Sequence, residues 1–194
     1  MPVTYPYLQY GGIWNLNTVA ANVATAQWPQ VKYAMFVAGP NGNSTLGLGN
    51  STNYSSPKQL GTLTNWSSMS SSQENLAVKT DGTLWAWGNN QWGALGLNNR
   101  NGYNSPKQVG TLTSWVNAAT CYRWSAAVRA DGTLWGWGLG FYGVTGFNGQ
   151  STNYYSSPKQ LGASTTWIQS VGGWDHTIAT RSNGSLWAWG RNQK

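Results

Sequence analysis

Short apolar runs on either side of an Asp-Gly pair form the clearest pattern in the middle of the chain. Residues 76–79 (Leu-Ala-Val-Lys) and 83–87 (Thr-Leu-Trp-Ala-Trp) flank Asp81-Gly82. Asp-Gly between two strand-forming runs is a strong signal for a tight hairpin turn. Because side chains alternate between the faces of a strand, Trp85 and Trp87 share one face, and the leucine and alanine that alternate with them share the other. The pattern therefore predicts a hairpin with apolar residues on both faces.

The same hairpin signature recurs along the chain. Further copies begin at Asp131 and Asn183 and read Asp-Gly-Thr-Leu-Trp-Gly-Trp-Gly and Asn-Gly-Ser-Leu-Trp-Ala-Trp-Gly. A Ser-Pro-Lys-Gln segment occurs three times, with its prolines 49 and 52 residues apart. A weaker first copy places the start of the array near Tyr33. Self-similarity at a period of about fifty residues indicates a repeat architecture.

Hairpins that are apolar on both faces must pack against similar sheets, as the blades of a propeller do. We therefore predict an all-β fold, a partial β-propeller of three to four blades, with helix as the minority structure. The tryptophans of the signature are expected to pack one blade against the next: Trp85, Trp87, Trp135, Trp137, Trp187 and Trp189. The predicted repeats are 33–60, 61–109, 110–161 and 162–194. A solenoid-like stack with frayed ends is the alternative.

The array is too short to close into a ring. Residues 33–194 hold little more than three periods, whereas propellers have about four to eight blades. The last signature is followed only by Arg191-Asn192-Gln193-Lys194, before the expected Gly-x-Leu-Gly. We expect the propeller to be incomplete at the C-terminus, so that a longer protein or other chains complete it.

Composition narrows the chemistry that the chain can perform. Charged residues make up 8% of the chain, which disfavours amphipathic surface helices and coiled coils. Four acids, one histidine and one cysteine leave most catalytic constellations, a structural zinc site and an internal disulfide out of reach. No apolar run reaches 18 residues, so no membrane span is expected. The sequence therefore predicts a protein that is not an enzyme and needs no cofactor.

The repeated residues also carry a family resemblance. Asp/Asn-Gly-x-Leu-Trp-x-Trp-Gly, followed by Gly-x-Leu-Gly and a downstream Ser-Pro, resembles the repeats of the regulator of chromosome condensation family. Residues 167–177 resemble that family's stretch of Trp, apolar residues, Gly and His-Ser/Thr, whereas the other copies have Glu74-Asn75 and Trp124-Ser125 at the His-Thr position. The resemblance covers residues 33–194 and implies a bladed propeller. It implies no single activity, because relatives act in nucleotide exchange, enzyme inhibition, light sensing and protein binding.

Residues 1–32 differ in kind from the repeats. Apolar residues at three- and four-residue steps predict a short helix that ends before Pro29. Such a helix is weakly stable alone, so we expect it to dock on another surface. Gly-Gly-Ile-Trp-Asn-Leu, an alanine-rich stretch and Trp-Pro resemble the start of virion proteins of tailed bacteriophages. The residues expected to attach the chain are Ile13, Trp14, Leu16, Val19, Val23 and Trp28. A blade strand with an irregular leader is the alternative.

The loops before each first hairpin strand share a register but differ in sequence. Variation on a fixed scaffold suggests display at one rim, where aromatic and polar groups suit a sugar or a protein surface. The candidate recognition residues are Glu74, Tyr122, Arg123, Trp124, Trp174, Asp175 and His176. A set of satisfied turns is the alternative. His176 has no paired nucleophile or acid, so a structural role is favoured, and Cys121 is expected to be inert.

Basic residues form two rows that follow the repeat. One row is Lys58, Lys107 and Lys159, and the other is Lys79, Arg129 and Arg181. With a net charge of +7 these rows could attract an anionic surface, but solvated edge lysines that prevent sheet aggregation are favoured. No dense basic patch exists, so nucleic acid is not an expected partner.

Taken together, the sequence predicts a non-enzymatic structural protein of a tailed phage virion, a fibre, appendage or decoration that displays a propeller. Its expected partners are other virion proteins, further copies of itself, or a glycan or protein of the host surface. The alternative is a cellular propeller adaptor that binds a protein partner, located in the cytoplasm rather than in a virion.

Overall fold

The structure, a computed structural model, describes residues 34–147 and 154–192. The chain divides between Lys32 and Tyr33, and all described residues belong to the second unit. The predicted short helix and the six predicted attachment residues lie outside the described residues.

The described residues form four antiparallel sheets and a single 3-10 turn at Phe141–Gly143. The strands of the first two sheets are β1 (Phe36–Gly39) and β2 (Tyr54–Gln59), then β3 (Trp66–Ser71), β4 (Glu74–Lys79), β5 (Leu84–Gly88) and β6 (Tyr103–Gln108). The strands of the last two are β7 (Trp115–Thr120), β8 (Trp124–Arg129), β9 (Leu134–Leu139) and β10 (Tyr154–Gln160), then β11 (Trp167–Gly172), β12 (His176–Arg181) and β13 (Leu186–Gly190). Within each sheet, neighbours in sequence are neighbours in space. This arrangement confirms the predicted all-β partial propeller.

The Asp-Gly turns are held by local hydrogen bonds. Oδ1 of Asp81 accepts hydrogen bonds from the Thr83 amide over 2.9 Å and from the Thr83 hydroxyl. That hydroxyl oxygen accepts a further bond from Trp85 Nε1 over 2.8 Å. The hydrogen bonds from Thr83 lower the pKa of Asp81. The same network recurs around Asp131 and, with an amide oxygen, around Asn183. Asp81, Asp131 and Asn183 are therefore turn residues, as predicted.

Consecutive sheets stack so that the leucine-bearing face of one sheet contacts the tryptophan-bearing face of the next. The face of β4 and β5 that carries Leu76 and Leu84 packs on the face of the third sheet that carries Trp115 and Trp137. Leu134 of the third sheet packs in the same way with the tryptophans of the fourth. The second and third sheets therefore each have a leucine face toward the next repeat and a tryptophan face toward the preceding one.

The first strand of each of the last three sheets supplies a tryptophan that packs against the predicted signature pair. Trp115 contacts Trp135 and Trp137, with ring centroids 5.9 and 6.4 Å apart. Equivalent clusters form around Trp66 and Trp167. The second tryptophan of the pair is buried in the second and third sheets, where it lies between stacked sheets.

The first strands of successive sheets also lie next to one another. The hydroxyl oxygens of Ser70 in β3 and Thr120 in β7 are 3.0 Å apart. Asn117 in β7 accepts a hydrogen bond from the Ser170 amide in β11 over 2.8 Å. These strands converge at the inner edge of the arc, as expected for strands that line a propeller axis.

The last sheet leaves its leucine face open. Leu84 and Leu134 are 0% and 1% exposed, whereas Leu186 at the same position of the repeat is 68% exposed. Trp187 beside it is also exposed. The difference arises because the second and third sheets are each covered by the sheet that follows.

Candidate binding surface at the loop edge

One backbone carbonyl in each of the first three repeats ties its loop to the following sheet. The Ala94 carbonyl accepts hydrogen bonds from Trp137 Nε1 over 2.7 Å and from the Ser125 hydroxyl over 2.8 Å. The equivalent carbonyls accept bonds from a tryptophan and a polar side chain of the next sheet: Thr45 from Trp87 and Asn75, and Val144 from Trp189 and Thr177. Asn75, Ser125 and Thr177 are therefore structural residues that position the loop edge.

Two of the predicted recognition side chains do not reach the surface. Glu74 and Trp124 are each 2% exposed. They open β4 and β8, which are central strands covered by sheets on both sides, and Trp124 packs in the cluster that holds Trp167. The expectation of display is therefore wrong for these two side chains. His176, at the same register of the last sheet, is exposed.

Burial also determines the protonation of the Glu74 carboxyl and the Cys121 thiol, which lie beneath this edge. Burial raises the pKa of Glu74 to about 8, so its carboxyl is largely protonated near neutral pH. Its Oε1 has no hydrogen-bond partner among the described residues. Burial raises the pKa of the Cys121 thiol as well, and a negative charge on Glu74 would raise it further. The thiol therefore stays protonated and is a poor nucleophile.

Three other predicted residues come together at the surface. The rings of Tyr122 and Trp174 stack with centroids 4.6 Å apart and planes inclined by 20°. The guanidinium of Arg123 lies 4.5 Å from the centroid of the Tyr122 ring and 4.9 Å from that of Trp92. Trp174 is 68% exposed, so much of its indole remains open to solvent.

The cluster continues onto residues that the sequence analysis did not single out. Trp92 stacks on Tyr154 with centroids 5.8 Å apart, and the Arg100 guanidinium lies 4.8 Å from the Tyr154 centroid. We call the whole set the loop-edge ladder: Trp174, Tyr122, Arg123, Trp92, Tyr154 and Arg100. Along part of the ladder, aromatic rings and guanidinium groups alternate. Stacking of a planar cation on a ring is favourable, so these side chains hold one another in place at the surface. A signal in the sequence was Trp92, an aromatic residue where the first repeat has Asn43.

Asp175 and His176 have local partners rather than a place in the ladder. Asp175 Oδ2 is 3.2 Å from Arg191 Nη1, and the Arg191 guanidinium lies 4.8 Å from the Tyr142 centroid. The His176 ring lies so close to Gly173 that a Cβ added there would overlap it. Among the described residues, no group of three His, Cys, Asp or Glu side chains could hold a metal ion.

The two basic rows lie on aromatic rings. Lys107 Nζ is 5.8 Å from the Tyr103 centroid, and Lys58 and Lys159 lie over tyrosines in the same way. Lys79 Nζ is 3.7 Å from the Trp85 centroid, and Arg129 and Arg181 lie over tryptophans of their own sheets. Lys58, Lys107 and Lys159 lie on the edge strands β2, β6 and β10, which fits the role of edge residues that the sequence favours. Lys79, Arg129 and Arg181 instead end the central strands β4, β8 and β12, and Lys79 is buried, so the expectation of solvated edge residues is wrong for this second row.

Comparison with protein families matches the Regulator of chromosome condensation (RCC1) repeat to residues 81–128 and 131–180. A second match of the same description covers residues 170–194. Comparison with curated proteins gives no match. No helix among residues 34–147 and 154–192 is long and apolar enough to cross a membrane.

Solved structures show the same fold. Human WBSCR16 is 21% identical with a TM-score of 0.70, and the match covers 83% of this chain and 43% of that one. Prp20p from Saccharomyces cerevisiae is 21% identical with a TM-score of 0.67, and the match covers 84% of this chain and 43% of that one. That structure is described with the binding of Prp20p to Gsp1p and histones. Yeast RCC1 (Prp20) with bound Kap60 is 19% identical with a TM-score of 0.66, and the match covers 84% of this chain and 42% of that one. The chain thus spans less than half the length of these proteins.

Proposed function

We propose that this chain, which belongs to the regulator of chromosome condensation (RCC1) repeat family, is a non-enzymatic propeller module that binds a macromolecular partner through the loop-edge ladder. The observation that carries the proposal is the stacked ladder itself, which joins aromatic and cationic side chains of successive repeats at one surface. Aromatic residues and arginine are the side chains most enriched at the energetic centres of interfaces.

The residues that hold the repeats together are separate from the ladder. The signature tryptophans and leucines of the second and third sheets pack between stacked sheets, and the residues that bind the loop carbonyls recur in the last three sheets. Tyr122, Trp174 and Trp92 take no part in those contacts and differ from repeat to repeat. Side chains that vary on a constant scaffold are the ones free to recognise a partner.

The state of the titratable groups supports a role without catalysis. Asp81 and Asp131 are used in turns, Asp175 pairs with Arg191, and the Glu74 carboxyl is buried. These are all the acidic residues of the chain. Within residues 34–147 and 154–192, none of them is placed with an activated nucleophile in the way that general acid-base chemistry requires.

Two settings for this module are proposed. The cellular setting, an adaptor in the cytoplasm, draws support from a yeast protein of the same fold, Prp20, whose structures are described with the protein partners Kap60, Gsp1p and histones. The virion setting draws support from the sequence of residues 11–16 and the alanine-rich stretch that follows, which resemble the start of phage virion proteins. Mass spectrometry of purified phage particles separates the two, because detection of the chain supports the virion setting and its absence from particles excludes it.

The binding proposal is tested by affinity capture with two matched variants of the full chain. The first variant carries Tyr122→Ser and Trp174→Ser in the ladder. The control carries Leu186→Ser and Trp187→Ser, which are also exposed but lie at the start of β13, at the opposite end of the strands from the loop edge. We expect the control to recover the same partner as the wild type and the ladder variant to lose it. Recovery of the same partner by the ladder variant would overturn the proposal.

A further inference from the structure

A cleft of about 430 Å³ opens beside Trp174, between the equivalent turns of three successive sheets. The turns after β3, β7 and β11 line it with residues 71–73, 120–122 and 172–174. The volume falls in the range of about 300–1,000 Å³ that is typical of small-molecule sites. The cleft is open to solvent and lies on the proposed binding surface, so its lining can be compared with candidate ligands.

The two sides of this cleft differ in chemistry. Tyr122 and Trp174 provide an aromatic wall, and Ser71, Ser72 and Gln73 bring short polar side chains from the turn of the preceding sheet. Ser72 is exposed, so its hydroxyl group is accessible to a ligand. Ser71 is also exposed, but its hydroxyl already donates a hydrogen bond to Asn75 Oδ1, so toward a ligand it can act only as an acceptor. A ligand that fits must therefore have an apolar face and a hydroxyl-rich or amide-rich edge.

Charge further restricts the choice of ligand, because none of the described residues that line the cleft carries a charged side chain. The nearest cation in sequence, Arg123, lies on the rings of Tyr122 and Trp92, and Asp175 is paired with Arg191. A phosphate, an acidic glycan or a charged peptide would lose hydration here without gaining an opposite charge. The lining thus favours a neutral ligand.

The aromatic wall is held in place before any ligand arrives. Tyr122 supports Trp174 from one side at 4.6 Å, and Arg123 in turn lies over Tyr122 at 4.5 Å. Gly172 lets the turn lie against Cys121, because a Cβ added at Gly172 would overlap the Cys121 sulfur. A wall fixed in this way loses little side-chain entropy when a ligand binds.

We propose that this cleft binds a sugar ring of a neutral glycan, with the C–H face of the ring on Trp174 and its hydroxyl groups toward Ser71, Ser72 and Gln73. A pyranose combines an apolar C–H face with a polar edge, which matches the two sides of the cleft. The inference rests on the proposed function, since it names the ligand class for the same surface.

The test uses the full 194-residue chain on an array of neutral and acidic oligosaccharides, followed by calorimetric titration of the glycan that binds best. Trp174→Ala is expected to weaken binding of a neutral glycan at least about tenfold, and Trp174→Phe to retain part of it. Trp187→Ala, which removes an exposed indole from the terminal sheet, is expected to bind like the wild type. Unchanged melting temperatures show that all variants fold.

Three outcomes would overturn the glycan assignment. In the first, the wild type binds no neutral glycan more tightly than Trp174→Ala does. In the second, the wild type prefers acidic glycans to neutral ones. The third is selection of peptides from a random library by the wild type but not by Trp174→Ala, with no glycan bound. In that third case the loop edge still binds a partner, so the proposed function stands while the glycan assignment fails. Failure of the affinity capture described above would instead remove both.

Discussion

The indole nitrogen of Trp137 donates a hydrogen bond to the backbone carbonyl of Ala94 over 2.7 Å, which joins positions 43 residues apart. Trp137 lies in β9, whereas Ala94 lies in the loop between β5 and β6 of the preceding sheet. Gly96 lies against the same indole, with only 2.9 Å between Trp137 Nε1 and a Cβ added at Gly96. Each loop is thus fixed by the tryptophan of the sheet that follows it.

Trp137→Phe removes this donor and part of a fully buried ring. We expect it to lower the free energy of unfolding by roughly 2–4 kcal/mol, because a hydrogen bond between repeats is lost and a cavity remains. Urea unfolding followed by circular dichroism measures the change. Trp187→Phe serves as the control, since that indole is exposed and bonds only to Ser185 two residues away. Equal losses in both variants would contradict the role assigned to the Ala94 carbonyl.

Leu134→Ala and Leu186→Ala compare the same repeat position in a covered and an uncovered sheet. Leu134→Ala is expected to cost about 2–5 kcal/mol of unfolding free energy, as for other buried leucines. Leu186→Ala is expected to change it by less than about 0.5 kcal/mol, because the side chain is already in water. The shifts in urea midpoint give both values. A large loss for Leu186→Ala would mean that the leucine face of the last sheet is covered in solution.

Glu74 predicts a pH dependence of stability. Its pKa of about 8 in the folded chain exceeds the ordinary value of 4.5, so the folded chain holds a proton that the unfolded chain has released between these limits. The contribution of the protonated Glu74 to the free energy of unfolding is therefore complete below about pH 4.5 and is lost as the pH rises toward 8. Over this range the free energy of unfolding falls by at most about 1.4 kcal/mol per pH unit. Glu74→Gln should remove this slope when unfolding is measured at several pH values from 5 to 8. Parallel curves for the two chains would show that Glu74 ionises normally.

Much of the fold could be predicted because local patterns and packing agree. Asp81-Gly82 predicts a turn from two residues, and the hydrogen bonds of Asp81 with Thr83 are local as well. Leu84 and Trp85 point to opposite faces by simple strand alternation. Which sheet covers each face depends on contacts about fifty residues away, so the exposed Leu186 and the buried Leu134 look alike in the sequence.

The binding surface could be predicted only in part, because loop register does not reveal where a central strand begins. The loop register predicts display for Glu74 and Trp124, but they open strands that are covered on both sides. The sequence indicates Tyr122 and Trp174 as candidates, whereas their stack depends on how two successive sheets turn. Trp92 lies in a different loop and meets Arg123 and Tyr154 only in the folded chain, so no local pattern places it at this surface.

Whether each repeat is held by the next is tested most directly by comparing Gly132→Ala with Gly184→Ala. Both glycines occupy the same hairpin turn with φ of +76° and +81°, so both variants pay the left-handed backbone penalty of about 1–2 kcal/mol. A Cβ at Gly132 would also overlap the Thr165 carbonyl of the following repeat, whereas at Gly184 nothing lies within 4 Å. We predict that Gly132→Ala loses clearly more unfolding free energy than Gly184→Ala. Equal losses would contradict serial packing of the repeats.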